Sequence, residues 1–302
     1  MKRVFIILGV LPLLIACLTS CQGTEGSHAL EIRFLDVGQG DCTLLRTPFG
    51  NVLVDAGPES EQELLMARLH ALGVNALELL IVTHPDEDHM GGADGVLRAL
   101  SVKEVWTNGY EDTHETALTF RDALMSSNAT HKAVKAGEKY TLGEMTLFVY
   151  APFAAEDAAK GNEGSIVFRL VCGNSVAIFT GDAEADTEER LLSAYGRDGL
   201  NCDLYKVGHH GSSTSTGEAF LSALSPKYAV ICCGKENTFG HPHGAVLDRL
   251  DRIGALILRT DLDGELCFVT DGEEFSLQYA SRPERILGIG AFERRKELWQ
   301  IY

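Results

Sequence analysis

Apolar runs of strand length that stop abruptly on a carboxylate or an imidazole constrain this chain more than any other feature. VLVDAG ends on Asp55, AIFTGD ends on Asp182, and LYKVGHHGS ends on His209 and His210. LELLIVTHPDEDHMGG breaks at His84 and carries Asp86, Asp88 and His89 within six residues. Short aliphatic runs of this kind read as buried strands. Ionisable groups at separate strand exits can converge on one edge of a layered fold, and imidazole with carboxylate is a ligand set for divalent cations. One such loop cannot close a site, because most acidic loops are merely solvated. The recurrence at four exits shifts the reading toward a shared centre.

The rest of the pattern sets the layers. Strands are predicted at 30–37, 41–47, 51–57, 77–83, 131–134 and 139–150, with a further strand in KEVWTN and helices at 60–73, 92–100 and 114–127. The first helix is read from Leu64, Leu65, Leu69 and Leu72, which recur at helical spacing before Gly73. The second half repeats the theme, with strands at 165–171, 175–182, 203–207, 227–232, 256–259, 265–270 and 274–279, and helices at 184–195, 217–224 and 244–253. Strands alternating with helices in both halves predict an α/β fold of four layers, αββα, with two sheets between helix layers. The domain is expected to span 30–280, with 151–164 as a weak boundary between its halves.

Residues 1–21 carry Lys2 and Arg3, an apolar stretch from Val4 to Ala16, and small residues before a Cys, which reads as an export signal too short to span a bilayer. Leu18-Thr19-Ser20-Cys21 resembles a bacterial lipobox and makes Cys21 the expected lipidation site; Leu14-Ile15-Ala16-Cys17 fits almost as well, and a plain cleaved signal or an uncleaved anchor is the other reading. Residues 22–29 then form a tether, and the protein is expected outside the cytoplasm, held to a membrane by its N-terminal lipid. The tail, 281–302, looks amphipathic from Ala291, either packing on the domain or touching a membrane surface. The formal charge is −17, and removing residues 1–21 deletes two basic and no acidic residues, giving −19. Such a surface repels long polyanions, so long DNA is a poor partner. Six Cys lie beyond the signal without a C-x-x-C pair, and their apolar surroundings predict buried free thiols.

Six motifs in order, FLDVGQGDC, THPDEDHMGG, NEGSIVFRL, TGD, KVGHHGSSTS and FGHPHG, resemble the metallo-β-lactamase superfamily and, within it, the hydrolase domain of ComEC-type competence proteins; HHGS is also similar to phosphorylcholine esterase. The resemblance covers about residues 30–270 and implies the four-layer αββα metallo-β-lactamase sandwich with two divalent ions, zinc or manganese. By position, His84 and Asp86 would hold a first ion, Asp88 and His89 a second, and Asp182 would bridge them. His210 would complete the second position, with His241 as the alternative and His209 nearer the substrate. Asp55 would orient the loop ligands from behind. Two departures stand out: Asp86 stands where the common motif has His, and Asn162 stands twenty positions before Asp182 where a further His is expected. Oxygen donors in place of imidazoles harden the first position toward manganese, iron or magnesium and weaken it.

The implied activity is metal-dependent hydrolysis of a phosphodiester, in a short nucleic acid or a phosphorylated envelope component. The alternatives are C–O or C–N hydrolysis of the lactonase or β-lactamase kind, and a non-catalytic surface binding lipoprotein. His209, His241 and His243 are the candidate general acids. Ser212, Ser213 and Thr214 either donate to a phosphate or cap the helix starting near 217. Gln39 and Asp41 either approach the site or belong to a simple turn.

Overall fold

The computed structural model describes residues 28–281. The predicted export signal with Cys17 and Cys21, most of the predicted tether and nearly all of the tail lie outside them. In chain order the first elements are β1 (Leu30–Phe34), β2 (Thr43–Thr47), β3 (Gly50–Val54), α1 (Gln62–Ala71), β4 (Ala76–Ile81), α2 (Glu87–Met90), α3 (Ala93–Ala99), β5 (Ser101–Thr107), α4 (Glu115–Ser126) and β6 (Thr130–Ala133). There follow β7 (Lys139–Leu142), β8 (Met145–Ala151), β9 (Val167–Cys172), β10 (Ser175–Phe179), α5 (Ala185–Leu200), β11 (Leu204–Lys206), α6 (Glu218–Leu224), β12 (Tyr228–Ile231), α7 (Gly244–Arg252) and β13 (Leu256–Arg259). Helix α8 (Thr260–Asp263), β14 (Leu266–Thr270) and β15 (Ser276–Ala280) complete the chain.

One sheet has the order β15-β14-β1-β2-β3-β4-β5-β6 and the other β13-β12-β11-β10-β9-β8-β7. Period-2 alternation buries both faces of each sheet. On β4, Leu79 and Ile81 enter the layer between the sheets while Leu77 and Leu80 meet Leu65, Leu69, Val96 and Phe120 of the helices. On β10, Ala177 and Phe179 face inward and Ile178 packs with Leu191, Phe220 and Leu250. The result is the predicted helix–sheet–sheet–helix stack, and each fully buried Leu or Phe contributes about 1.5–3 kcal/mol to it.

Two features differ from the pattern reading. The stretch 139–150 is a hairpin of β7 and β8 turning at Gly143, which has a φ of +60°. Both of its strands belong to the second sheet, so the sheets divide between β6 and β7, not at 151–164. In addition β14 leaves the second sheet and pairs antiparallel with β1, returning the chain to the first. That pairing joins residues far apart in sequence, which periodicity does not encode.

Strands β3, β4 and β5 run parallel, as do β10, β11, β12 and β13. The C-terminal ends of both sets carry the polar residues, the usual location of a site in parallel sheets. The six cysteines from Cys42 to Cys267 are buried and unpaired. Among the described residues no helix is long and apolar enough to cross a membrane.

Candidate metal centre

Asp55 leaves β3 with a φ of +57°, a left-handed conformation that costs a residue with a Cβ about 1–3 kcal/mol. The conformation turns its carboxylate under the next strand. Oδ1 accepts the Thr83 N–H at 2.7 Å, and Oδ2 accepts the Thr83 hydroxyl at 2.8 Å. Oδ2 also lies 2.8 Å from His89 Nδ1, which fixes the proton of that ring on Nδ1. Because the Thr83 hydroxyl donates to Asp55, it accepts from His84 Nδ1 at 3.1 Å. His210 Nδ1 donates in turn to the Cys232 carbonyl at 2.9 Å. All three rings thus hold a proton on Nδ1 and turn the Nε2 lone pair to the same place.

The separations around that place suit the ligands of one ion. His89 Nε2 lies 3.3 Å from His210 Nε2 and 3.1 Å from Asp182 Oδ1. His210 Nε2 lies 3.1 Å from Asp88 Oδ2 and 3.5 Å from Asp182 Oδ2. Donors about 2.1 Å from an ion stand roughly 3.4 Å apart in a tetrahedron, so His89, His210 and Asp182 fit one divalent cation, with Asp88 beside His210 as a further donor. Two lone pairs facing each other at 3.3 Å are repulsive unless a proton or a cation lies between them. Asp182 Oδ1 and His84 Nε2 are buried with no hydrogen-bond partner. This is the inner position. An outer set is looser: His84 Nε2 is 3.7 Å from Asp86 Oδ2 and 4.0 Å from Asp182 Oδ2, and His209 Nε2 is 3.7 Å from Asp182 Oδ2.

The electrostatics agree. Burial opposes charge on His210, but Asp182 and Asp41 outweigh it and push its pKa up to about 10. Asp182 is likewise resisted by burial yet held well below the usual carboxylate range by His89, His210 and His84. The centre therefore calls for positive charge, and a divalent ion meets that demand while leaving the imidazoles neutral. His84, pushed down to about 4 by burial and by His89, is neutral in any case.

The backbone explains how the ligands arrive. Residues 87–90 form one helical turn, α2, instead of the expected open loop. His209 and His210 both adopt left-handed φ, +47° and +51°, so that adjacent side chains reach the same centre from one short turn. The GQGD segment braces the loop: a Cβ on Gly40 would meet the Asp88 carbonyl at 2.4 Å, and the Asp41 N–H donates to that carbonyl at 3.0 Å. GQG is therefore a close approach of backbone to the ligand loop, not a free turn.

Other sequence candidates lie further out. Asn162 Nδ2 reaches Glu184 Oε1 at 3.4 Å and the His209 ring at 3.5 Å. Among the described residues the histidines within ion-pair range of Asp182 are His84, His89, His209 and His210; His241 instead stacks on Phe239, ring centroids 5.7 Å apart. His243 Nδ1 accepts the Ser213 N–H at 2.9 Å. Ser212 bonds Thr214, and α6 starts after Gly217 with no side-chain cap, while Glu188 accepts the N–H groups of Thr216 and Gly217 just before it. None of Ser212, Ser213 and Thr214 caps α6. Pattern reading also missed Glu184, whose Oε1 lies 3.0 Å from His209 Nδ1, and Lys206, buried against Asp41. Lys206 stands in the quoted KVGHHG motif, but lysine in a short run reads as a surface residue.

Comparison with known proteins follows the same line. Residues 35–235 match the metallo-β-lactamase superfamily, and the chain belongs to that family. It is 34% identical over 267 residues to ComE operon protein 3 of Bacillus subtilis, covering 82% of this chain and 33% of that one. It is 32% identical over 236 residues to competence protein ComA of Neisseria gonorrhoeae, covering 77% of this chain and 31% of the other. The chain thus spans about a third of the length of the curated relatives it matches. Among solved structures, a variant of the β-hydroxylase CmlA superposes with a TM-score of 0.51 at 14% identity, over 79% of this chain and 53% of that one, a likeness of fold.

Proposed function

We propose that this chain is an exported, lipid-anchored metal-dependent phosphodiesterase acting on short or small phosphorylated substrates. The observation that carries the reading is the convergence of His89, His210 and Asp182 at 3.1–3.5 Å, with Asp88 3.1 Å from His210 and with His84 and Asp86 beside them. Divalent ions held by these residues supply Lewis acidity toward a phosphoryl oxygen and acidify water at neutral pH. Asp182 would serve both positions, because its Oδ1 lies 3.1 Å from His89 while its Oδ2 lies 3.5 Å from His210, 3.7 Å from His209 and 4.0 Å from His84.

The chain's own residues do the rest. Glu184 orients His209 through Nδ1 and leaves Nε2 facing the centre, from where it hands a proton to the leaving oxygen. His241 is a poor store for that proton, because burial and then His210, His209 and His243 push its pKa down to about 4. A cleft of about 730 Å³ opens over Asp86 and Asp88 and is lined also by Gln39, Glu61, Glu87 and Phe239. Its carboxylates and the charge of −17 support a short or small substrate over long DNA.

The test is hydrolysis of bis(p-nitrophenyl) phosphate with manganese or zinc. Wild-type turnover that is lost in Asp88→Ala and Asp182→Ala supports the reading, and equal rates in all three end it. Anchoring is tested separately. Cys21→Ala is expected to release the protein from membranes, and an unchanged membrane fraction would contradict lipidation at Cys21.

A further inference from the structure

Behind the inner position lies an ion pair that the proposed chemistry does not use. Lys206 is the last residue of β11, and period 2 places it on the same face as Leu204, toward the layer between the sheets. It is 2% exposed and Asp41 is 4% exposed. Lys206 Nζ lies 2.7 Å from Asp41 Oδ2 and donates to the Val207 carbonyl at 2.9 Å. Asp41 lies in the loop joining β1 to β2 of the first sheet and Lys206 in β11 of the second, so the pair ties the two sides together at the edge that carries the ligands. Replacing a buried ion pair with apolar groups is often neutral or stabilising, so stability alone does not account for a lysine in this strand.

Asp41 has the geometry to act on the ligands. Its carboxylate Oδ1 lies 3.2 Å from His210 Nδ1, beside the bond from that nitrogen to Cys232, and otherwise has no hydrogen-bond partner. Its N–H holds the Asp88 carbonyl, and its own carbonyl accepts the Gly57 N–H at 2.8 Å. Asp41 lies within 4.8 Å of the donor atoms of His89, Asp182 and His210, but it approaches His210 from the nitrogen turned away from the centre. It is therefore placed behind the ligand, as Asp55 is behind His89.

We propose that the Asp41–Lys206 pair is the positioning element of the inner position: Lys206 pins Asp41, and Asp41 sets the His210 ring and the Asp88 loop together. The inference rests on the metal-binding reading. Its consequence is selective, because Asp41 touches the supports of His210 and Asp88 and none of those of His84 or Asp86.

The experiment is stepwise cobalt(II) titration of the metal-free full chain, with thermal unfolding of the same metal-free samples. Variants are Asp41→Asn, which keeps shape and an acceptor for Lys206, and Asp41→Asn/Lys206→Met, which removes both charges. The tighter binding step is expected to weaken about 10–100-fold in both variants while the weaker step barely moves. If the double variant fails to fold, Asp41→Asn alone carries the test. An unchanged tighter step overturns the inference. So does equal weakening of both steps with a lowered unfolding midpoint, the mark of a merely structural pair. A wild-type chain that binds no cobalt overturns the metal reading itself, a result distinguishable from either.

Discussion

The inner and outer sides of the centre share Asp182 but are built differently. On the inner side His210 and Asp88 have side chains 2% and 26% exposed; on the outer side His209 and Asp86 are 20% and 51% exposed. Inner donor atoms stand 3.1–3.5 Å apart and outer ones 3.7–4.0 Å. Each inner imidazole is fixed by a buried acceptor, Asp55 or the Cys232 carbonyl; on the outer side His84 is held by the Thr83 hydroxyl, and His209 by Glu184, whose side chain is 27% exposed. The inner position is therefore the more pre-organised, and the outer one would combine His84 with oxygen donors, solvent and substrate.

The sharpest break in this comparison is the residue both sides share. Asp182→Ala is expected to lower hydrolysis of bis(p-nitrophenyl) phosphate by roughly 10³-fold or more, since both positions lose a ligand. Next, His210→Ala should cost about 10²-fold and Asp86→Ala about 10-fold in the same assay, each 1.36 kcal/mol being a factor of ten. Equal losses would erase the distinction. Asn162→His is expected to tighten the weaker ion-binding step about tenfold, by adding an imidazole to the outer set, without moving the tighter one. Competition titration with a chelator reads both steps.

The smallest effect on catalysis is expected at Glu188, which belongs to the scaffold under the outer side. Burial outweighs the two N–H groups it accepts and pushes its pKa up to about 7 from 4.5. The folded protein then binds more protons than the unfolded chain between those values, so stability falls as pH rises from 4.5 to about 7. Glu188→Gln should leave hydrolysis near wild type and flatten that fall, which amounts to about 1–3 kcal/mol. Urea unfolding at pH 4.5, 6 and 7.5 checks it, and parallel profiles for both proteins would contradict it.

The legibility of the fold and the site follows the same inner and outer division only in part. The four layers were readable because both sheets bury both faces, which writes continuous apolar runs into β4, β10 and β12. His84, His89, Asp182 and His210 were readable because an ionisable residue closing such a run is conspicuous. The return of β14 to β1 was not, because strand pairing across the whole chain leaves no local trace. Lys206 and Glu184 were not, because lysine and glutamate ordinarily mark solvent. The Cys232 carbonyl belongs to the backbone, and the sequence carries no sign of where a carbonyl points. The left-handed turn at His209 and His210 is also hidden, since neither residue is a glycine.

The most direct measurement is anomalous diffraction from crystals grown with manganese or zinc. The strongest peak is expected among His89, His210, Asp88 and Asp182, with a weaker one beside His84 and Asp86. A strongest peak at the outer side, or none within reach of Asp182, would contradict a pre-organised inner position.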